Sequence, residues 1–222
     1  MRRKLLVAAL AVVILALVGA AWVWFLLRSA PLWYVPPDPR DANVASLAET
    51  AEYRLVEEYR KIRPEAERWT IRVREDQVNA WLAARMPEWI ANRQEVDWPV
   101  ELGVPQVRMT EAGIDVAVPA ELDGGSHVLV MRLVPEIRDG QLRMGLERAG
   151  VGRANVGRGP AEMIAEAIAP FLEDEADQIA IMDVLSGRVG IQPIIDLGDS
   201  RLVEVVSVVL GDGVMEVTNR TE

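Results

Sequence analysis

The chain has 222 residues, half of them hydrophobic, with 24 basic and 34 acidic residues, one histidine and no cysteine. Without cysteine there can be no disulfide, thiolate metal site, iron–sulfur cluster or cysteine nucleophile. The formal charge of −10 deepens to about −14 once Arg2, Arg3, Lys4 and Arg28 are set aside, which repels nucleic acid and anionic headgroups and excludes DNA or RNA as a partner.

Residues 5–27 carry no charge, and Arg2, Arg3 and Lys4 stand directly before them. As a helix the run reaches roughly 35 Å, enough to cross a hydrocarbon core with some tilt. The basic cluster places the N-terminus in the cytoplasm and the rest of the chain outside it. The rival reading is a cleaved signal peptide, whose apolar centre is shorter. Here the apolar run continues past Gly19-Ala20-Ala21 into Trp22, Trp24 and Leu27, and Trp22, Trp24, Trp33 and Tyr34 resemble an interfacial aromatic belt. The expectation is an uncleaved, single-pass signal anchor over 1–28 in the cytoplasmic (inner) membrane.

Residues 29–40 hold Pro31, Pro36, Pro37 and Pro39 and read as an extended, semi-rigid linker that lifts the following domain, 41–222, off the membrane. Asp41 to Ile62 has the pattern of an amphipathic helix: Asp41 or Asn43 caps it, and Val44, Leu47, Ala51, Leu55, Tyr59 and Ile62 recur at steps of three or four. Trp69 to Val73 alternates as a half-buried strand. A second helix follows over Glu75–Arg85, with Val78, Trp81, Leu82 and then Met86 on its apolar stripe and Pro87 closing it.

From Val100 to Glu147 the period becomes two. Val100, Leu102 and Val104 alternate up to Pro105, where a kink shifts the parity. Ile114, Val116 and Val118, then Leu129, Met131 and Leu133, then Leu142, Met144 and Leu146 form successive apolar faces, separated by turn residues such as Asp139-Gly140. Short connections between such strands predict an antiparallel meander. Gly150 to Gly159 reads as a glycine-rich crossing into a long helix that starts at Pro160 and carries Ile164, Ile168, Phe171 and Leu172 on its apolar stripe. Three strand-like segments end the chain: 191–197, 201–210 and 214–218, the last two joined at Gly211-Asp212-Gly213.

Reactive motifs are scarce. His127 is the only histidine and has no partner at a diagnostic spacing, and HExxH, GxSxG, Walker-type and EF-hand patterns are absent. The glycine-rich segment lacks the GxGxxG spacing of a phosphate loop. Glu173, Asp174, Glu175 and Asp177 read as the wet face of a helix rather than a calcium site. No enzyme activity, catalytic residue, cofactor or metal is expected. What stands out is apolar surface: Val128 and Val130 oppose Leu129 and Met131, and Val206 and Val208 oppose Val205 and Val209. A strand apolar on both faces must be covered twice. Packed helices do this, and so does a greasy groove open to a ligand.

The order of features also carries a resemblance. An N-terminal anchor is followed by a strand and helix with Asn79 in a Val-Asn-Ala-Trp-Leu setting (Val78 to Leu82), a meander, and Gly150-x-Gly-Arg leading to Gly159-Pro160. This is similar to bacterial membrane-anchored proteins of the YpmS type and YceB-type lipoproteins, which resemble the tubular lipid-binding (TULIP) superfamily. The resemblance spans roughly residues 66–222. It implies a strongly curved antiparallel sheet wrapped on a long helix, a structural role for Asn79 in pinning a local turn, and binding of lipid or another apolar molecule; it defines no catalytic residue.

The combined expectation is an α+β protein: a transmembrane helix, then a curved antiparallel sheet of six or seven strands wrapped on a long amphipathic helix, with two further helices alongside. An apolar ligand would sit between sheet and helix, lined by Leu129, Met131, Met144 and Leu146 from the sheet and Ile164, Ile168, Phe171 and Leu172 from the helix. The membrane, a lipid and other membrane proteins are the expected partners. The alternative is a membrane-tethered interaction or assembly scaffold with a fully packed core.

Overall fold

The computed structural model describes residues 2–92, 100–122, 125–157, 183–184 and 187–222. The fold is α+β. The first helix, α1, spans Arg2–Arg28. Its side chains stand outward from residue 14 onward, with Leu15, Leu17, Trp22 and Trp24 all more than half exposed. Among the described residues no helix is long and apolar enough to cross a membrane. The side chains of α1 are described only for residues 14–28, which cover about 22 Å at 1.5 Å per residue.

The linker is not free of the domain. Pro31 is buried and Trp33 and Tyr34 are half-buried. The Arg108 guanidinium lies 4.8 Å over the Trp33 ring, and burial pushes the Tyr34 hydroxyl pKa up. Helix α2 covers Ala42–Arg60, and the Asp41 carboxylate caps it by accepting from the Asn43 N–H at 2.9 Å. Strand β1 (Arg68–Arg74) leads directly into α3 (Glu75–Ala84). Pro87 does not end the helical region. It sits in the first turn of α4 (Met86–Ala91), where its missing N–H costs no bond.

The expected strand over 100–104 is reduced to a single bridge, Leu102 with Ala120. Pro105 supplies no N–H to a ladder, and β2 starts after it, at Gln106–Thr110. The meander then follows as β3 (Gly113–Leu122), β4 (Gly125–Arg138) and β5 (Gln141–Val151). Asp139 (φ 54°) and Gly140 (φ 71°) make the two-residue turn between β4 and β5, both in the left-handed region that such a hairpin requires.

The glycine-rich stretch is not a crossing. Gly152 (φ 60°) turns the chain back, and β6 (Ala154–Gly157) pairs antiparallel with β5. The long helix expected from Pro160 falls almost wholly outside the described residues. The chain ends in β7 (Ile194–Asp196), β8 (Leu202–Gly211) and β9 (Val214–Thr221).

These strands form two sheets rather than one. One has the order β1-β9-β8-β7, the other β2-β3-β4-β5-β6, and every pairing is antiparallel. β8 packs against β2 and β4, and β9 against β2. The doubly apolar strands have two explanations. In β4, Leu129 and Val130 point to opposite faces and both are buried, so both faces are covered there. In β8, Val206 is the extra residue of a bulge, which reverses parity and leaves Val209 58% exposed.

The free edge of β2 is closed by side chains. Asn79, 6% exposed, donates from Nδ2 to the Val107 carbonyl and accepts the Val107 N–H at Oδ1, both at 2.8 Å. The Glu75 carboxylate accepts the Met109 N–H at 2.6 Å, and the Gly213 N–H donates to the Met109 carbonyl at 3.0 Å. Asn79 therefore pins a distant strand edge rather than a local turn.

Candidate functional site

Of the apolar residues expected to line a ligand space, the structure gathers four. β4 is paired so that Leu129 and Met131 share a face with Leu133, and the extra residue Glu147 in β5 restores Leu146 and Met144 to that same face. Leu129 is buried; Met131, Met144 and Leu146 are half-buried. Their expected counterparts Ile164, Ile168, Phe171 and Leu172 lie outside the described residues.

A different apolar space is complete among the described residues. It is an open groove of about 780 Å³ between α2, β1, α3 and Trp89 of α4. Its α2 wall holds Leu55 and Val56, exposed at 43% and 41%. The opposite side is Ile71 and Val73 of β1, with Val78 and Trp81 of α3. Trp81 and Trp89 meet edge to face, centroids 6.2 Å apart.

The groove stays open because α2 is tied down at two places and not between them. Near its middle, the Arg85 Nε holds the Glu52 carboxylate at 3.1 Å, and Ala48 is fully buried. At its C-terminal end, Tyr59 packs edge-on against Trp69 with centroids 5.2 Å apart, and the Arg63 guanidinium caps the other side of that indole at 3.8 Å. Hydrogen bonds from Lys61 and Arg63 hold the Glu58 carboxyl below the usual range. Burial pushes the Tyr59 hydroxyl pKa up.

Of the residues expected from sequence, the four that are described, Leu129, Met131, Met144 and Leu146, do not line this groove. Leu55 belongs to the expected core stripe of α2, and the structure places it at the surface instead. One signal was legible: Tyr53 and Val56 are apolar but off that stripe, so the apolar arc of α2 is too broad for one buried contact.

A second constellation is polar. Arg108, Asp115, Arg132 and Arg148 stand in one cross-strand row over β2, β3, β4 and β5. Asp115 is fully buried. It accepts from Arg132 Nε at 2.8 Å, Arg148 at 2.9 Å and Arg108 Nε at 3.1 Å. Burial pushes the Asp115 carboxyl up, but the hydrogen bonds from Arg132, Arg108 and Arg148 outweigh it and hold the pKa at about 2. His127 is half-buried on β4, and its Nδ1 has no hydrogen-bond partner among the described residues.

No protein-family model matches the chain, and no curated protein matches it in sequence.

Proposed function

We propose that the protein is a membrane-tethered, non-catalytic binding module that takes an apolar stretch of a partner into the groove between α2, β1 and α3. The observation that carries this reading is the groove itself: Leu55, Val56 and Trp89 stay exposed around a space of about 780 Å³. Contiguous apolar surface of this kind, left open by a chain with ample polar residues, marks an interaction site. The tether is α1. Apolar side chains stand exposed along residues 14–25, which suits lipid rather than water, and the basic residues at its start set the N-terminus inside.

A photo-crosslinking amino acid at Val56 in the full-length protein, activated in intact membranes, tests the reading. A discrete crosslinked polypeptide that disappears in a Leu55→Glu background is expected. Crosslinks to lipid alone, or none, would remove the groove as a protein-binding site.

A second reading has its own support. Met131, Met144 and Leu146, all half-buried, share one apolar face with the buried Leu129, and the resemblance to the tubular lipid-binding superfamily gives that face a lipid or another apolar molecule as ligand. Organic extraction of the purified full-length protein followed by mass spectrometry tests it. Stoichiometric lipid that is lost in Met131→Lys supports it, and lipid at detergent background removes it.

A further inference from the structure

We propose that the occupant of the groove is an extended segment of another protein, alternating apolar and acidic side chains, that adds to β1 as a new outer strand. This rests on the groove being a binding site and names the class of ligand it takes.

Among the described residues β1 is the outermost strand of its sheet and pairs only with β9. Its register reveals which backbone groups that pairing leaves over. The Thr221 N–H donates to Glu67 and the Glu75 N–H to Gly213, so the odd-numbered residues between them face β9. Thr70 and Arg72 turn their N–H and C=O groups the other way. Thr70, Ile71, Arg72 and Val73 all line the groove. Four consecutive residues belong to both faces of a strand, so the groove meets the edge of β1 and not merely one side of it. The fold closes the comparable edge of β2 with Asn79, Glu75 and Gly213. Among the described residues it leaves the β1 edge open beside apolar walls.

The side chains decide among possible occupants. A strand laid along β1 would point alternate residues toward Val78 and Trp81, which calls for apolar side chains. Its other residues would stand beside exposed Arg68 and beside Arg72, which already holds Glu216, so Arg68 is the cation that an acidic residue of the partner would meet. A second copy of this chain meeting edge to edge would instead set Arg68, Arg72 and Arg74 against their own kind, with Glu216 and Asp76 already engaged by Arg72 and Arg74. An acyl chain would leave the outward N–H and C=O groups without partners.

The test uses full-length protein in detergent micelles and a fluorescent peptide of about eight alternating valine and glutamate residues, near the usual strand length. Saturable binding is expected, with slowed amide exchange confined to the segment around 68–74. Methylating the peptide amides that face β1 should weaken binding about tenfold or more, and so should exchanging glutamate for lysine. Thr70→Pro removes an outward N–H while sparing the bonds to β9, a position where an edge strand accepts proline. It should leave the melting temperature nearly unchanged and weaken binding about tenfold.

Binding that ignores both amide methylation and Thr70→Pro but is lost in Leu55→Glu would overturn strand addition while leaving the groove as a site. Failure of the peptide to bind at all, or concentration-dependent self-association that Thr70→Pro abolishes, would overturn the proposal. In the first of these cases, a persisting Val56 crosslink to a polypeptide would still uphold the groove.

Discussion

At the scale of single residues, two polar side chains do structural work that their burial makes costly to lose. Asp115 is the shared buried acceptor for three guanidiniums in a cross-strand row. Asp115→Asn keeps the shape and removes the charge that all three share. It should destabilise the protein by about 3 kcal/mol, read as a drop in the melting temperature of the full-length protein in detergent. The same carboxylate imposes an acid limit. Its pKa is about 2 in the folded protein and about 3.9 in an unfolded chain, so the unfolded state binds its proton first as pH falls. The stabilisation is complete above pH ~5 and drains away toward pH ~2, amounting to about 2–3 kcal/mol. A wild-type melting curve that stays flat across that window would contradict this. Asn79→Ala removes both hydrogen bonds to Val107 and leaves a buried N–H and C=O unpaired. A loss of about 2–3 kcal/mol is expected, and Asn79→Asp, which keeps the acceptor and loses the donor, should fall between wild type and alanine.

At the scale of elements, the junction of α1 with the domain is a fitted contact. The Arg153 N–H donates to the Leu26 carbonyl at 2.9 Å, and Arg153 Nε to the Ala30 carbonyl at 3.0 Å. A Cβ on Gly152 would stand 2.4 Å from the Leu26 oxygen and 2.7 Å from those of Leu27 and Ser29. Those atoms are backbone and cannot swing aside, and the φ of 60° already favours glycine. Gly152→Ala should therefore detach the end of α1 from the β5–β6 turn at a cost of about 2 kcal/mol. The check is limited proteolysis: cleavage within residues 29–40 should become faster in the variant, whose far-ultraviolet circular dichroism stays native.

Local elements were largely legible in the sequence because their signals are local. The Asp41 cap, the alternation of β1, and the Asp139-Gly140 and Gly211-Asp212-Gly213 turns each depend on neighbours within a few residues. Residues 100–104 misled because alternation alone does not make a strand without a partner whose register accepts it. The glycine-rich stretch misled because a glycine at positive φ serves a hairpin as readily as a crossing.

At the scale of the whole molecule, the proposed tether through α1 has a direct test. The absence of cysteine makes topology simple to probe. A single cysteine introduced at Ser29 should react with an impermeant thiol reagent from the extracytoplasmic side, and one at Arg2 should react only after the membrane is opened. Labelling of the Arg2→Cys variant in intact cells would reverse the orientation. Four residues of one sheet face, Leu129, Met131, Met144 and Leu146, follow from alternation and turn positions; the helix residues expected opposite them lie outside the described residues. The groove was not legible in the sequence, because it arises where α2 diverges from β1 between two tethers, and no local pattern encodes such a divergence.

By itself, the sequence determined the helical N-terminal run with its basic flank, the acidic and cysteine-free character of the rest, and most hairpin partners, since composition and short-range stereochemistry suffice for these. Only the tertiary structure decided that the strands divide into two sheets, that β1 joins β9 across more than half the chain, and that among the described residues no strand pairs with the other edge of β1. Those outcomes depend on long-range pairing, whose loop-closure cost and register are settled by the packed whole and not by any one segment.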